Sequence, residues 1–136
     1  MKSMLIVFLM GVAFLLMVTF CATVPRGPLA PGEIRLLEIN IRETGNLRGN
    51  VQYTANINFE ADGRPEITRA CFSWSGDGPY CFKVRGVNYG SGTIEIDFRS
   101  PAQPASYVLK SYVLYIRDGK TISTNEVSTP VSVTRY

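Results

Sequence analysis

Cys71 and Cys81 stand with nine residues between them, a third cysteine sits at position 21, and the chain of 136 residues contains no histidine. Without His there is no His-based triad, the commonest general base is missing, and most zinc sites lose a ligand. The carboxylates Glu60, Asp62, Glu66, Asp77, Glu95, Asp97 and Glu126 could form a glycosidase-type pair, which depends on their separation in space. No nucleophile motif accompanies them, and the chain behind them is too small for a sizeable cleft, so the reading is a non-catalytic protein. The glycine-rich stretch Arg85–Gly92 has no G-x-G-x-x-G and no helical pattern after it, so it is not a phosphate cradle. Asp62-Gly63, Asp77-Gly78 and Asp118-Gly119 lack the D-x-D-x-D-G run of a calcium loop and read as turns. No cofactor and no metal are expected. The net charge of +3 is not gathered into a basic run, so no nucleic acid partner is expected.

A nine-residue spacing is not a C-x-x-C redox motif, and in an exported protein Cys71 and Cys81 read as a structural disulfide. If Cys71 faces Cys81 across a hairpin, Phe72 faces Tyr80 and Trp74 faces Gly78, leaving Ser75-Gly76-Asp77 as a three-residue loop. Both cysteines then lie on one face, and Phe72, Trp74 and Tyr80 on the other. Trp74 reads as core. A platform for a sugar ring, made of Trp74 and Tyr80 with Tyr89 of the glycine-rich loop, is the alternative.

Export is argued from the first residues. Lys2 precedes a run, Met4 to Phe20, with no charge and only Thr19 clearly polar. Its length lies between a signal peptide and a membrane-spanning helix. The segment Leu16-Met17-Val18-Thr19-Phe20-Cys21-Ala22 resembles the lipobox of bacterial lipoprotein signals, with Phe20 where that pattern has a small residue. The resemblance implies that Cys21 carries the lipid at the start of the mature chain. Two other outcomes stay open: an uncleaved anchor helix, and cleavage elsewhere with release of the domain. Residues 1–20 are thus read as signal or anchor. Residues 21–32, with three prolines and two glycines after Cys21, form a stiffened tether.

Residues 33–136 form one domain of short alternating segments. Val51, Tyr53, Ala55, Ile57 and Phe59 share one face of a strand over Asn50–Glu60. Ile94, Ile96 and Phe98 do so over Thr93–Arg99. Ile34–Arg42, Ile67–Ser75, Tyr80–Val84, Ser106–Arg117 and Ile122–Thr134 complete seven strands, which in a chain this short suggest a two-sheet sandwich. The stretch Pro104–Val113, the turn Asp118-Gly119-Lys120 and the closing Val127-x-x-x-Val131-x-Val133 resemble the last two strands of bacterial immunoglobulin-like domains. That resemblance implies an all-β, immunoglobulin-like sandwich with Tyr107 as its corner tyrosine and Leu109, Ser111, Val113 and Tyr115 on the same face. The opposite face then carries Val108, Tyr112, Leu114 and Ile116 beside Lys110. This is an unusually apolar row for a solvent face, and either a cover or a partner contact explains it.

The reading is a membrane-anchored cell-envelope protein, with its sandwich on the non-cytoplasmic side and either membrane as host. It would bind another envelope protein or stiffen an assembly, with carbohydrate binding as the alternative. Intact mass of the membrane-extracted protein is expected to show loss of residues 1–20 and an added lipid on Cys21; an unmodified Met1 would end the lipoprotein reading.

Overall fold

Alternation of apolar and polar residues produces strands throughout. The computed structural model describes residues 27–42 and 46–135. The expected signal or anchor segment, Cys21 and the first part of the tether lie outside the described residues. Ten strands follow one another: β1 (Ile34–Ile41), β2 (Leu47–Arg48), β3 (Gln52–Ala61), β4 (Ile67–Trp74), β5 (Asp77–Lys83), β6 (Gly86–Asn88), β7 (Thr93–Arg99), β8 (Ala105–Arg117), β9 (Lys120–Ser123) and β10 (Val127–Thr134). They form two sheets, β1-β3-β7-β6 and β2-β10-β8-β4-β5, with β9 also paired to β8. The first is the A-B-E-D sheet of an immunoglobulin sandwich. The second contains its C-F-G strands as β4, β8 and β10, with β5 added at the edge beside C.

The count differs from the seven expected strands for local reasons. β2 and β6 are too short to show a period of two. The expected strand Ile122–Thr134 breaks at Thr124–Glu126. Val113 accepts from the Thr124 N–H at 2.9 Å but donates its own N–H to the Thr124 hydroxyl at 2.9 Å, so a side chain takes over half of the backbone pairing at that point. β1 carries a register shift between Leu36 and Glu38, which leaves Leu37 42% exposed.

The core lies between the sheets. Ala55, Ile57 and Phe59 of β3 and Ile94, Ile96 and Phe98 of β7 face Ala70, Phe72 and Trp74 of β4 and Leu109, Val113 and Tyr115 of β8, all buried. Trp74 is packed against Phe98, with ring centroids 5.6 Å apart, and edge-on to Tyr107 at 5.9 Å. The Tyr107 hydroxyl donates to the carbonyl of Gln103 at 2.8 Å, the geometry of a corner tyrosine.

Two polar groups behave in opposite ways inside this core. The Asn125 side chain accepts from the Leu36 N–H at 2.8 Å and donates to the Leu36 carbonyl at 2.9 Å, tying β1 to the other sheet. Ser111, fully buried opposite Phe72 and Val127, has no hydrogen-bond partner for its hydroxyl among the described residues. Asn125→Ala strands both backbone groups of a buried residue and should cost roughly 2–4 kcal/mol. Ser111→Ala removes an unreturned desolvation cost and should raise stability by about 1 kcal/mol. Denaturant unfolding of the two variants checks the contrast; a loss in Ser111→Ala as large as that in Asn125→Ala would contradict it.

Candidate binding groove on the edge hairpin

The β4–β5 hairpin is built by its turn. Ser75 and Gly76 both take positive φ, 48° and 93°, and these two residues form the loop. This is the two-residue geometry whose twist suits a hairpin. The expected three-residue loop is corrected accordingly: Trp74 pairs with Asp77 and not with Gly78. The extra residue is taken up as an irregularity between Phe72 and Trp74, opposite Gly78-Pro79. Gly78, at φ 125°, lies so close to Phe72 that a Cβ there would meet its carbonyl oxygen at 2.7 Å.

Beyond the irregularity the ladder is regular. Phe72 faces Tyr80, Cys71 faces Cys81 and Ala70 faces Phe82. Cys71 and Cys81 form a disulfide. Their Cα atoms are 4.0 Å apart, the close spacing of a pair that does not exchange backbone hydrogen bonds. The N–H and C=O of Cys81 therefore point away from β4, and those of Lys83, two residues on, do the same. Among the described residues β5 pairs only with β4, so these groups form a free sheet edge there. Pro79, which occupies the same phase, has no N–H to offer.

The other face of the hairpin overhangs the opposite sheet. Tyr80 and Phe82 are 47% and 53% exposed, while Phe72 beneath them is buried. Phe72 and Phe82 stack with centroids 6.4 Å apart, and Phe72 lies 6.2 Å from Phe98 of β7. Phe72, Trp74, Tyr80, Phe82, Phe98 and Pro101 line an open groove of about 280 Å³, with Asp77 and Arg99 at its end. A larger cleft of about 540 Å³ opens between β1 and β10, where Leu37 and Ile39 mix with Glu38, Lys110 and Glu126. That second cleft has no aromatic wall.

The Tyr80 hydroxyl donates to the Asp77 carboxylate at 2.9 Å. This bond, and the carboxylate's charge, push the phenol above its usual value. Tyr89 lies elsewhere. Its hydroxyl donates to the Pro65 carbonyl, its ring meets Phe59 edge-on at 5.8 Å, and the Arg64 guanidinium sits 6.0 Å over it. Burial raises its pKa and Arg64 opposes the shift. Of the three aromatics read as a sugar platform, Trp74 and Tyr80 line the same groove and Tyr89 lies apart from them. Trp74 is 7% exposed within the core, Tyr80 borders the turn at one end of the sandwich, and Tyr89 packs against the loop at the other. Phe82, the most exposed aromatic of the groove, was not singled out from sequence. Its position two residues after Tyr80 was the available signal.

The row on the outer face of β8 is only partly open. Val108 is 43% exposed, and Tyr112, Leu114 and Ile116 are half-buried. Tyr112 pairs with Cys71, beside the disulfide. No family model matches the chain. No curated protein matches it either. A solved cohesin module from the family 33 glycoside hydrolase of Clostridium perfringens is similar over 75% of this chain and 99% of its own, at 14% identity and a TM-score of 0.39. A likeness that distant carries no argument; the immunoglobulin order rests on the sheets themselves.

Three of the carboxylates weighed for acid–base work make structural contacts. Asp62 accepts from the Gly32 N–H at 2.9 Å, Asp97 from the Thr54 hydroxyl at 2.9 Å, and Glu60 pairs with Arg35 at 3.4 Å. Among the described residues no cluster of metal-ligating side chains occurs.

The disulfide's role is to hold the edge strand in register. Closing a loop of this length is worth about 2.5–3 kcal/mol on the chain-entropy account. The Cys71→Ser, Cys81→Ser double variant should lose that much in denaturant unfolding under non-reducing conditions; an unchanged midpoint would show that the hairpin needs no staple.

Proposed function

We propose that this protein is a membrane-anchored, non-catalytic binding module of the cell envelope, held through Cys21 or an N-terminal helix, which captures an extended segment of a partner protein on β5. The observation that carries the reading is the placement of Tyr80 and Phe82, about half exposed, on a strand whose outer edge is unpaired. Exposed aromatic side chains over a concave apolar floor are what an interface core uses. A free edge offering the N–H and C=O of Cys81 and Lys83 suits a polypeptide strand, whose main chain supplies the complementary row. The groove then takes alternate side chains of the added strand. The disulfide supports this reading by fixing the edge before the partner arrives, which lowers the ordering cost of binding.

The outer face of β8 is the competing contact surface. Its Val108, Tyr112, Leu114 and Ile116 would serve a flat partner and not a strand. Photo-crosslinking residues placed in cells at Phe82, at Val108 and at the control position Ser132 separate the two. A discrete adduct at Phe82 alone is expected. An adduct at Val108 alone would move the contact to β8, and the same pattern at Phe82 as at Ser132 would contradict a binding site on β5.

A further inference from the structure

Residues 27–33 do not behave as a free tether. Arg35 is buried on β1, and its guanidinium donates to the Gly27 carbonyl at 2.6 Å and reaches Glu33 at 3.2 Å and Glu60 at 3.4 Å. The Gly32 N–H donates to Asp62 at 2.9 Å, the Glu33 N–H to the Ala30 carbonyl at 3.1 Å, and the Asp62 N–H to the Glu33 carbonyl at 3.0 Å. Gly32 holds φ 71°, and a Cβ there would lie 3.6 Å from the Arg117 side chain. The segment is therefore fastened across one end of the sandwich, against the end of β3 and the end of β8.

The strand registers place one end of the groove, at Trp74 and Asp77, at the opposite end, while Phe82, opposite Ala70, lies midway along the sandwich. Ile34 pairs with Ala61, Asn58 with Thr93 and Ile67 with Tyr115, so residues 34, 61, 67, 93 and 115 mark the fastened end. Trp74, Asp77, Arg99 and Ala105 mark the far one. β3 alone has ten residues, and at about 3.3 Å per residue the sandwich stands roughly 33 Å tall.

We infer that residues 27–33 are a strap that orients the sandwich on its anchor, so that the Trp74–Asp77 end of the aromatic groove is held away from the bilayer. A partner strand laid along β5 then has its Trp74–Asp77 end open to the side opposite the protein's own membrane. This rests on the anchored-module reading above. With the strap closed, only residues 22–26 separate Cys21 from the domain, a reach of about 20 Å at full extension. That is too short for the sandwich to turn over. With the strap released, residues 22–33 would reach about 40 Å, and inversion becomes possible.

The test uses the full-length protein extracted from membranes and reconstituted into phosphatidylethanolamine–phosphatidylglycerol vesicles containing an acceptor-labelled lipid. A fluorescent amino acid replaces either Lys120, at the fastened end, or Ala102, at the far end, leaving the cysteines untouched. Energy transfer to the lipid is expected to be severalfold stronger from position 120. Adding Asp62→Ala should shrink that difference and speed amide exchange at Gly32 while the sandwich stays folded. Equal transfer from the two positions in a chain that sediments with the vesicles would overturn the orientation alone. A chain that does not sediment with them would end the anchored reading, and the orientation with it.

Discussion

The side-chain amide of Asn125 joins the two sheets at one margin, and among the described residues the margin beside β5 is not closed in this way. Leu36 is fully buried at the edge of β1, so its N–H and C=O need partners inside the protein. Asn125 supplies one acceptor and one donor from a single carboxamide, as a neighbouring strand would. This brings β1 to β10 on one side of the sandwich. On the other side no hydrogen bond joins β5 to β7 among the described residues. Aromatic packing fills the gap there, running from Tyr107 through Trp74 and Phe98 to Phe72 and ending in Phe82 at the surface.

An open margin is a hazard for an immunoglobulin-like sandwich, because an unpaired strand recruits other chains. β5 limits the hazard without removing it. Pro79 takes away one donor, the irregularity at Gly78-Pro79 breaks the ladder, and Lys83 ends the strand with a charge. What remains is a short, selective stretch around Cys81, held rigid by the disulfide and bordered by Tyr80 and Phe82. The groove is therefore preorganised rather than sticky. It runs from the middle of β5 to the end of the domain opposite the strapped N-terminal segment.

Much of this was legible in the residues. The alternation of Val51 to Phe59 and of Ile94 to Phe98 predicts the two central strands of one sheet, and Ala55, Ile57, Phe59, Ile94, Ile96 and Phe98 are buried, with Val51 and Tyr53 only partly so. The parity of Cys71 and Cys81 predicts their pairing, and Pro104–Val113 marks the corner tyrosine. Three things were not legible, each for a physical reason. The turn shifted by one residue because Ser75, a non-glycine, adopts positive φ, which composition does not announce. The exposure of Phe82 depends on β5 overhanging the facing sheet, a matter of how far the sheets extend. The fastening of residues 27–33 depends on Arg35 and Asp62, which lie in different strands and loops and meet only after folding. The proline-rich composition correctly marks that stretch as neither helix nor central strand, but composition does not tell a free spacer from a bonded strap.

The central claim is that a partner's strand completes the sheet at β5. Amide exchange at Cys81 and Lys83, compared between the protein in its native membranes and the purified full-length chain, tests it most directly. The account expects both amides to exchange slowly in the membranes and quickly once the chain is purified, while amides bonded within the core sheets do not change. Fast exchange at both positions in the membranes, alongside an intact core, would contradict it.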